Sequence, residues 1–369
     1  MVGNRRVERI RLAGWSITMG DEVKTTSQGF RAATIYEVAK RAGVSTATVS
    51  RVLSGATKGT WKRTARRIDE IRRIAAELGY EPSWKARALA RGRTGTICLL
   101  HRCESPLLIS EFWQGIIAQV YSALEGVKLD VQLLFFPDAA ESLQANRRKL
   151  MDQRFDGCIV LERIDPDLDA VLRESAMPVV LLNGAEKGWP KVRPDDFGGA
   201  VKATEHLISL GHRRLAFLSQ PIVGEGHFSF WARMEGVQYA LKQAGLEPPT
   251  MLQSDPAEVI ARMFSPDCES RPTALVVYHT QWAIRCLQAL WRRGLRVPQD
   301  VSVVTFDDVI SARISIPPLT TIDVPGEQMA RKATDLLLEL MEKPAVAHES
   351  DMVLPERLVV RESTAVSPH

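Results

Sequence analysis

The chain is 369 residues long, 45% hydrophobic and 25% charged, the proportions of an ordinary globular protein with room for two or three folded units. Apolar runs such as Val131–Pro137 and Ala274–Tyr278 are far shorter than the ~18–20 residues a membrane span needs, so no membrane association is expected. The net charge of +4 is uneven: residues 1–95 hold 20 Lys and Arg against 8 Asp and Glu, the remainder 28 against 36, and a basic block on an acidic body points to nucleic-acid binding.

Arg5, Arg6, Arg9 and Arg11 open the chain, but no continuous apolar core follows them, so a secretory signal is not expected. Residues 1–33 lack periodicity and read as a flexible extension, with Met19 as an alternative start. The five cysteines (98, 103, 158, 268 and 286) are odd in number and show no Cys-x-x-Cys spacing. Neither a disulfide framework nor a metal site is expected, no cofactor motif is present, and a reducing cytoplasm fits this usage.

Regular structure is predicted from Thr34. Thr34 stands as an N-cap before Ile35, Val38 and Ala39 at helical spacing, and Ser45 offers a second cap before Val49, Val52 and Leu53. Ala42-Gly43-Val44-Ser45 makes a tight corner between two short helices, a helix-turn-helix. A third helix is predicted from about Arg63 to Leu78, its apolar stripe running through Ile68, Ile71, Ile74, Ala75 and Leu78, with Gly79 closing it. A basic connector follows to Thr94, with Lys85, Arg87, Arg91 and Arg93.

From Thr96 the pattern alternates between strand and helix. Strands are predicted at Thr96–Leu100, Val131–Phe136, Cys158–Leu161 and Val179–Leu182, then at Leu215–Leu218, Ala274–Tyr278 and Val301–Phe306. Amphipathic helices are predicted between them, at Glu111–Leu124, Val201–Leu210, Met234–Ala244 and Ile284–Arg293. Such alternation means right-handed β-α-β units and two doubly wound parallel sheets covered on both faces. The fold class expected is therefore α/β: an N-terminal all-α helix-turn-helix domain plus two doubly wound parallel-sheet subdomains. Neither set carries a Gly-x-Gly-x-x-Gly or Walker A sequence, so no nucleotide-binding motif is present.

The run from Thr34 to Gly55, TIYEVAKRAGVSTATVSRVLSG, closely resembles the helix-turn-helix of the lactose-repressor (LacI/GalR) family. The resemblance continues at Leu78-Gly79-Tyr80, Ala86–Leu89, Glu205–Phe217, Gly294–Val304 and Pro317–Thr321, and covers essentially Thr34 to Thr364. It implies a transcription regulator, expected to be a repressor, that binds a palindromic double-stranded DNA operator as a homodimer under control of a small-molecule effector. The effector module it implies is periplasmic-binding-protein-like. Its domain boundaries would be 34–80 for the DNA-binding domain and 81–95 for a hinge helix and linker. One effector subdomain would take 96–195 plus 325–345, the other 196–324 plus 346–369.

The second helix of such a motif lies in the major groove. The resemblance implies that Ser45 and Thr48 face phosphates, and that Thr46, Ala47 and Arg51 face the bases. It adds Thr34, Tyr36 and Ser50 to the DNA-facing set. Arg51 can fork onto guanine O6 and N7, or meet only a phosphate; both stay open. In the family, the stretch matching Ser83–Ala90 forms a hinge helix on the operator, and Leu89 is then the minor-groove wedge. Departures from the family stand at Ala56–Lys58, one residue longer than usual, and at Trp61, where a capping serine is typical, leaving Thr60 as an alternative cap.

For the effector, the resemblance implies ligand contacts at Arg233 and Asp307, with Asp195 at the crossover between lobes. A structural ion pair or helix cap is the alternative for each. Family contacts are replaced at Pro106–Ile109, His279-Thr280 and Pro256, so an aromatic-stacked sugar or purine is less expected, and His279 joins the candidate effector residues. The expected effector is a sugar or other polar metabolite with an anionic or hydroxyl-rich end. A hydrolase, or a ligand-binding protein without DNA regulation, is the alternative, but no nucleophile-elbow or zincin spacing is present, and no catalytic residue is assigned.

Overall fold

The computed structural model describes residues 33–53, 62–80, 92–102, 110–136, 147–221, 226–265, 268, 271–343 and 350–368. They form two compact units, the first ending at Ala90 and the second beginning at Arg91. Leu89, Ala56–Lys58, Thr60, Trp61 and Pro106–Ile109 lie outside the described residues.

Among the described residues, the first unit has three helices, α1 (Ile35–Ala42), α2 (Thr46–Leu53) and α3 (Lys62–Glu77). The apolar stripes predicted for them meet in one core of Val38, Ala39, Val49, Val52, Ile68, Ile71, Ile74 and Ala75. Thr34 caps α1 in a full capping box: its hydroxyl accepts from the Glu37 N–H, and Glu37 accepts from the Thr34 backbone N–H at 2.7 Å. Gly43 ends α1 at φ 62°, a left-handed conformation costly for other residues.

The second unit consists of two lobes, each a six-stranded sheet between helices. The first sheet has the order β11-β5-β4-β3-β1-β2. It comprises β1 (Thr96–Arg102), β2 (Asp130–Phe136), β3 (Gly157–Leu161), β4 (Val179–Leu182), β5 (Lys191–Pro194) and β11 (Asp351–Leu354), all parallel. The second sheet has the order β12-β10-β9-β8-β6-β7. Its strands are β6 (Leu215–Ser219), β7 (Thr250–Gln253), β8 (Ala274–Val277), β9 (Ser302–Phe306), β10 (Thr320–Asp323) and β12 (Arg357–Val359). Only β12 runs antiparallel to its neighbour.

Alternation along each strand sends side chains to both faces, and here both faces are core. In the first lobe Ile97, Leu99, Ile159 and Leu161 pack under α4 (Glu111–Gly126) and α11 (Gly326–Glu342). Cys98, Leu100, Cys158 and Val160 face the other way, against Leu168 and Leu172 of α5 (Pro166–Ser175). Each fully buried Leu or Ile contributes about 1.5–3 kcal/mol. The second lobe repeats the plan with α6 (Asp196–Ser209) and α7 (Phe228–Gln243) on one face. On the other face lie α8 (Pro256–Met263), α9 (Thr280–Arg292) and the short α10 (Ile310–Ile314).

The chain crosses between lobes after β5, after β10 and after β11. One expected boundary needs correction. The segment 346–369 does not belong wholly to the second lobe, because β11 pairs with β5 of the first sheet and only β12 joins the second.

Candidate nucleic-acid interface and effector cleft

In the first unit, Ser45 starts α2 by accepting from the Thr48 N–H at 3.2 Å, and its hydroxyl lies 2.9 Å from that of Thr48. Val49 and Val52 fill the inward face. Ala47 and Arg51, four residues apart, fall on the opposite face and are exposed. Thr46, Thr48 and Ser50 flank them half-buried, while Thr34 and Tyr36 at the start of α1 are exposed, Tyr36 at 74%. The corner is tied from behind by Arg67 of α3, whose guanidinium donates to the carbonyls of Ala42 and Gly43. The Arg51 Nε lies back toward the Ala47 carbonyl at 3.4 Å.

In the second unit, a cavity of about 310 Å³ opens between the lobes at the carboxyl ends of their strands. That is where doubly wound sheets hold ligands, beside the point at which strand order reverses. The first lobe contributes His101 from the end of β1, Glu162 after β3, Asn183 after β4, and Phe112 and Trp113 from the first turn of α4. The second contributes Gln220 after β6, His227 and Arg233 around the start of α7, Tyr278 and His279 after β8, and Asp307 after β9.

Of the four effector residues expected from sequence, Arg233, His279 and Asp307 line this cleft and Asp195 does not. Asp195 caps α6, its carboxylate accepting from the Gly198 N–H at 3.0 Å. Arg233 is buried, with its Nε 2.7 Å from Asp196 Oδ1, an Nη donating to the Tyr278 carbonyl, and the Phe306 ring 4.0 Å from its Cζ. The expectation of an anionic ligand end rested on an available guanidinium, and this one is engaged with Asp196. His279 caps α9, and burial pulls its imidazole down to about 4. Asp307 sits at φ 69°, and burial pushes its carboxyl up to about 6, against the pull of Arg233. Pro256, matched to a stacking aromatic, is instead the buried first residue of α8, away from the cleft.

The aromatic surface expected to be lost is supplied elsewhere, by Phe112, Trp113 and Tyr278. Trp113 is fixed by its indole N–H donating to Glu162 at 2.8 Å, and its ring centroid lies 5.2 Å from that of His101. Hydrogen bonds cross the cleft. His227 Nε2 donates to the Asn183 carbonyl at 2.9 Å, and Ser311 donates to Glu111 through both its N–H, at 3.2 Å, and its hydroxyl. Sequence reasoning missed His101, Asn183, Gln220 and His227, although the first three stand at or just beyond the end of a strand in a doubly wound pattern.

Comparison with known proteins agrees with both units. Residues 34–83 match the sequence profile described as bacterial regulatory proteins, lacI family, and residues 204–364 match that of a periplasmic binding protein-like domain. The ribose operon repressor of Haemophilus influenzae is 29% identical over 345 residues, covering 90% of this chain and 98% of that protein. The HTH-type transcriptional repressor PurR of the same species is 29% identical over 348 residues, again 90% and 98% of the two chains. Among solved structures, the lac repressor dimer bound to operator and the anti-inducer ONPF superposes with a TM-score of 0.77 at 27% identity, over 91% of this chain and all of that one. The transcriptional regulator CelR in complex with cellobiose gives 0.65 at 28% identity, over 90% and 99%. The helix-turn-helix whose second helix turns Ala47 and Arg51 outward is thus a lacI-family DNA-binding domain, joined to a two-lobed periplasmic binding protein-like module with a cleft at its strand ends.

Proposed function

We propose that this chain is a DNA-binding transcription repressor that acts as a homodimer on a palindromic operator, controlled by a small molecule held between the lobes of its second unit. The observation that carries the reading is the outward face of α2, exposed at Ala47 and Arg51 on a segment whose net charge is +12 over residues 1–95. Such charge supplies sequence-independent attraction to phosphates, and the outward side chains supply base reading. The named relatives are repressors, and the lac repressor was captured as a dimer on its operator. In this reading Ser45 and Thr48 contact phosphates, Thr46, Ala47 and Arg51 read bases, and Thr34, Tyr36 and Ser50 complete the DNA-facing set. Leu89 is the minor-groove wedge. No catalytic step is part of it, and the protein works in the cytoplasm beside its DNA.

The ligand side rests on the cleft lined by Arg233, His279 and Asp307. A ligand changes operator affinity only to the extent that it binds two lobe arrangements unequally.

The test is the Arg51→Ala variant assayed by footprinting and fluorescence anisotropy at fixed salt. Operator affinity should drop by about 1–3 kcal/mol, roughly five- to 150-fold, with base preference relaxed at the contacted position. An equal loss on random-sequence DNA would reduce Arg51 to a phosphate contact.

A further inference from the structure

Several groups lining the cleft have hydrogen-bonding capacity that the protein does not use. His101 is 3% exposed and neither ring nitrogen has a hydrogen-bond partner, with Nε2 standing 4.0 Å from the Glu162 carboxylate. Asn183 is 7% exposed with Oδ1 unpartnered, and the buried Oε1 of Gln220 is likewise unpartnered. The carboxylate of Asp307 lines the cavity and makes no side-chain hydrogen bond among the described residues. Buried polar groups are normally satisfied, so three residues with such groups converging on one cavity, beside the half-buried Asp307 carboxylate, describe a site built for an occupant. Asn183 Oδ1, Gln220 Oε1 and Asp307 are all acceptors, so the occupant must be rich in donors.

The charge of the lining narrows the class. Its acidic side chains are Glu111, Glu162 and Asp307, and among the described lining residues Arg233 is the one Lys or Arg. That guanidinium is already paired with the buried carboxylate of Asp196. His101, His227 and His279 are kept neutral by burial, so none supplies a compensating charge. A half-buried carboxylate short of positive charge favours a cation beside it, and an ammonium brings three donors and no acceptor. The rings of Phe112, Trp113 and Tyr278 give the cavity an apolar and cation-attracting wall, and its volume of about 310 Å³ suits a small metabolite.

We propose that the effector is an amine-bearing polyol of monosaccharide size, its ammonium set against Asp307 and its hydroxyls shared among His101, Asn183 and Gln220. This rests on the reading that the cleft holds the effector. An anionic ligand would place like charge against Glu111, Glu162 and Asp307. A neutral sugar would leave the carboxylate of Asp307 with only the Arg233 guanidinium, which Asp196 already engages.

The experiment is calorimetric titration of the full-length protein at pH 7 with glucosamine, galactosamine, mannosamine and the corresponding amino alditols. Each is compared with its neutral parent, its N-acetyl form and its uronate, and operator affinity is measured in parallel by anisotropy. At least one amine should bind tenfold or more tightly than its own parent and N-acetyl form. Asp307→Asn, checked for folding by its near-ultraviolet circular dichroism, should bring that ratio close to one. The amine assignment is overturned if the tightest ligand is neutral or anionic, if no amine binds, or if the preference survives in Asp307→Asn. A neutral sugar that binds, is lost in Asn183→Ala and shifts operator affinity would keep the effector reading while removing the amine. Ligands that bind undiminished in both variants and leave operator affinity unchanged would remove the effector reading itself.

Discussion

Replacing Arg233 with methionine should destabilise the second unit by about 3–5 kcal/mol, because it strips the counter-ion from a buried carboxylate. The Arg233 and Asp196 side chains are 7% and 1% exposed, with 2.7 Å between Nε and Oδ1. Asp307 and Glu356 also feel the field of this guanidinium. With the cation gone, these carboxyls must take up protons to remain buried, so the loss should be larger at pH 8 than at pH 5. The double replacement Arg233→Met with Asp196→Leu should recover much of it, since apolar pairs of similar volume often substitute for buried ion pairs. Urea denaturation of the three variants is the measurement. A loss below about 1 kcal/mol for Arg233→Met would show that the pair is not a structural element. Its role as a ligand contact alone would then be restored, with an altered ligand response and unaltered stability.

The second large effect belongs to Glu356, in the crossover between β11 and β12. It is 2% exposed, neither carboxyl oxygen has a hydrogen-bond partner, and Oε2 lies so close to Gly199 that a Cβ there would displace it. Burial, reinforced by Asp196, Asp307 and Asp195 and opposed by Arg233, holds its carboxyl well above the usual carboxylate range. A carboxyl whose folded value exceeds its unfolded one binds more protons in the native state. It therefore takes stability away as pH rises from the unfolded value toward the folded one. Glu356→Gln cannot ionise, so its stability relative to the parent should improve by about 1–3 kcal/mol between pH 5 and pH 8. Thermal melts across that range test it. Parallel curves for parent and variant would mean that Glu356 keeps the same charge on unfolding.

How far the sequence reveals all this depends on how local each signal is. Strands such as Val179–Leu182 lie between two apolar layers and stand out as uninterrupted apolar runs. β5 (Lys191–Pro194), β7 (Thr250–Gln253) and β10 (Thr320–Asp323) mix in charged or polar residues, and β11 and β12 are short sheet-edge strands with exposed positions. None of these five has the periodicity that marks a strand, and so the path of residues 346–369 between lobes was not legible. The helix-turn-helix was, because its caps, corner glycine and apolar stripes all lie within one short stretch. The cleft was read in part. Family matching reached Arg233, His279 and Asp307, but it could not tell that Arg233 is taken up by Asp196, a partner 37 positions away. His101, Asn183 and Gln220 are brought together only by the sheet topology, from three separate strand ends.

The tie between Arg67 and the carbonyls of Ala42 and Gly43 bears on how such a protein diverges. The pose of α2 is set from behind, by this guanidinium and by Val49 and Val52, while Ala47 and Arg51 on its outer face are exposed. Exchanges at Ala47 and Arg51 therefore cost little stability, in the range of about ±0.5 kcal/mol usual for exposed positions. Under the proposed base-reading role, each would nevertheless redirect which base is preferred. Duplicated copies are thus free to drift toward new promoters through one or two substitutions, while the sensor behind them evolves on its own schedule.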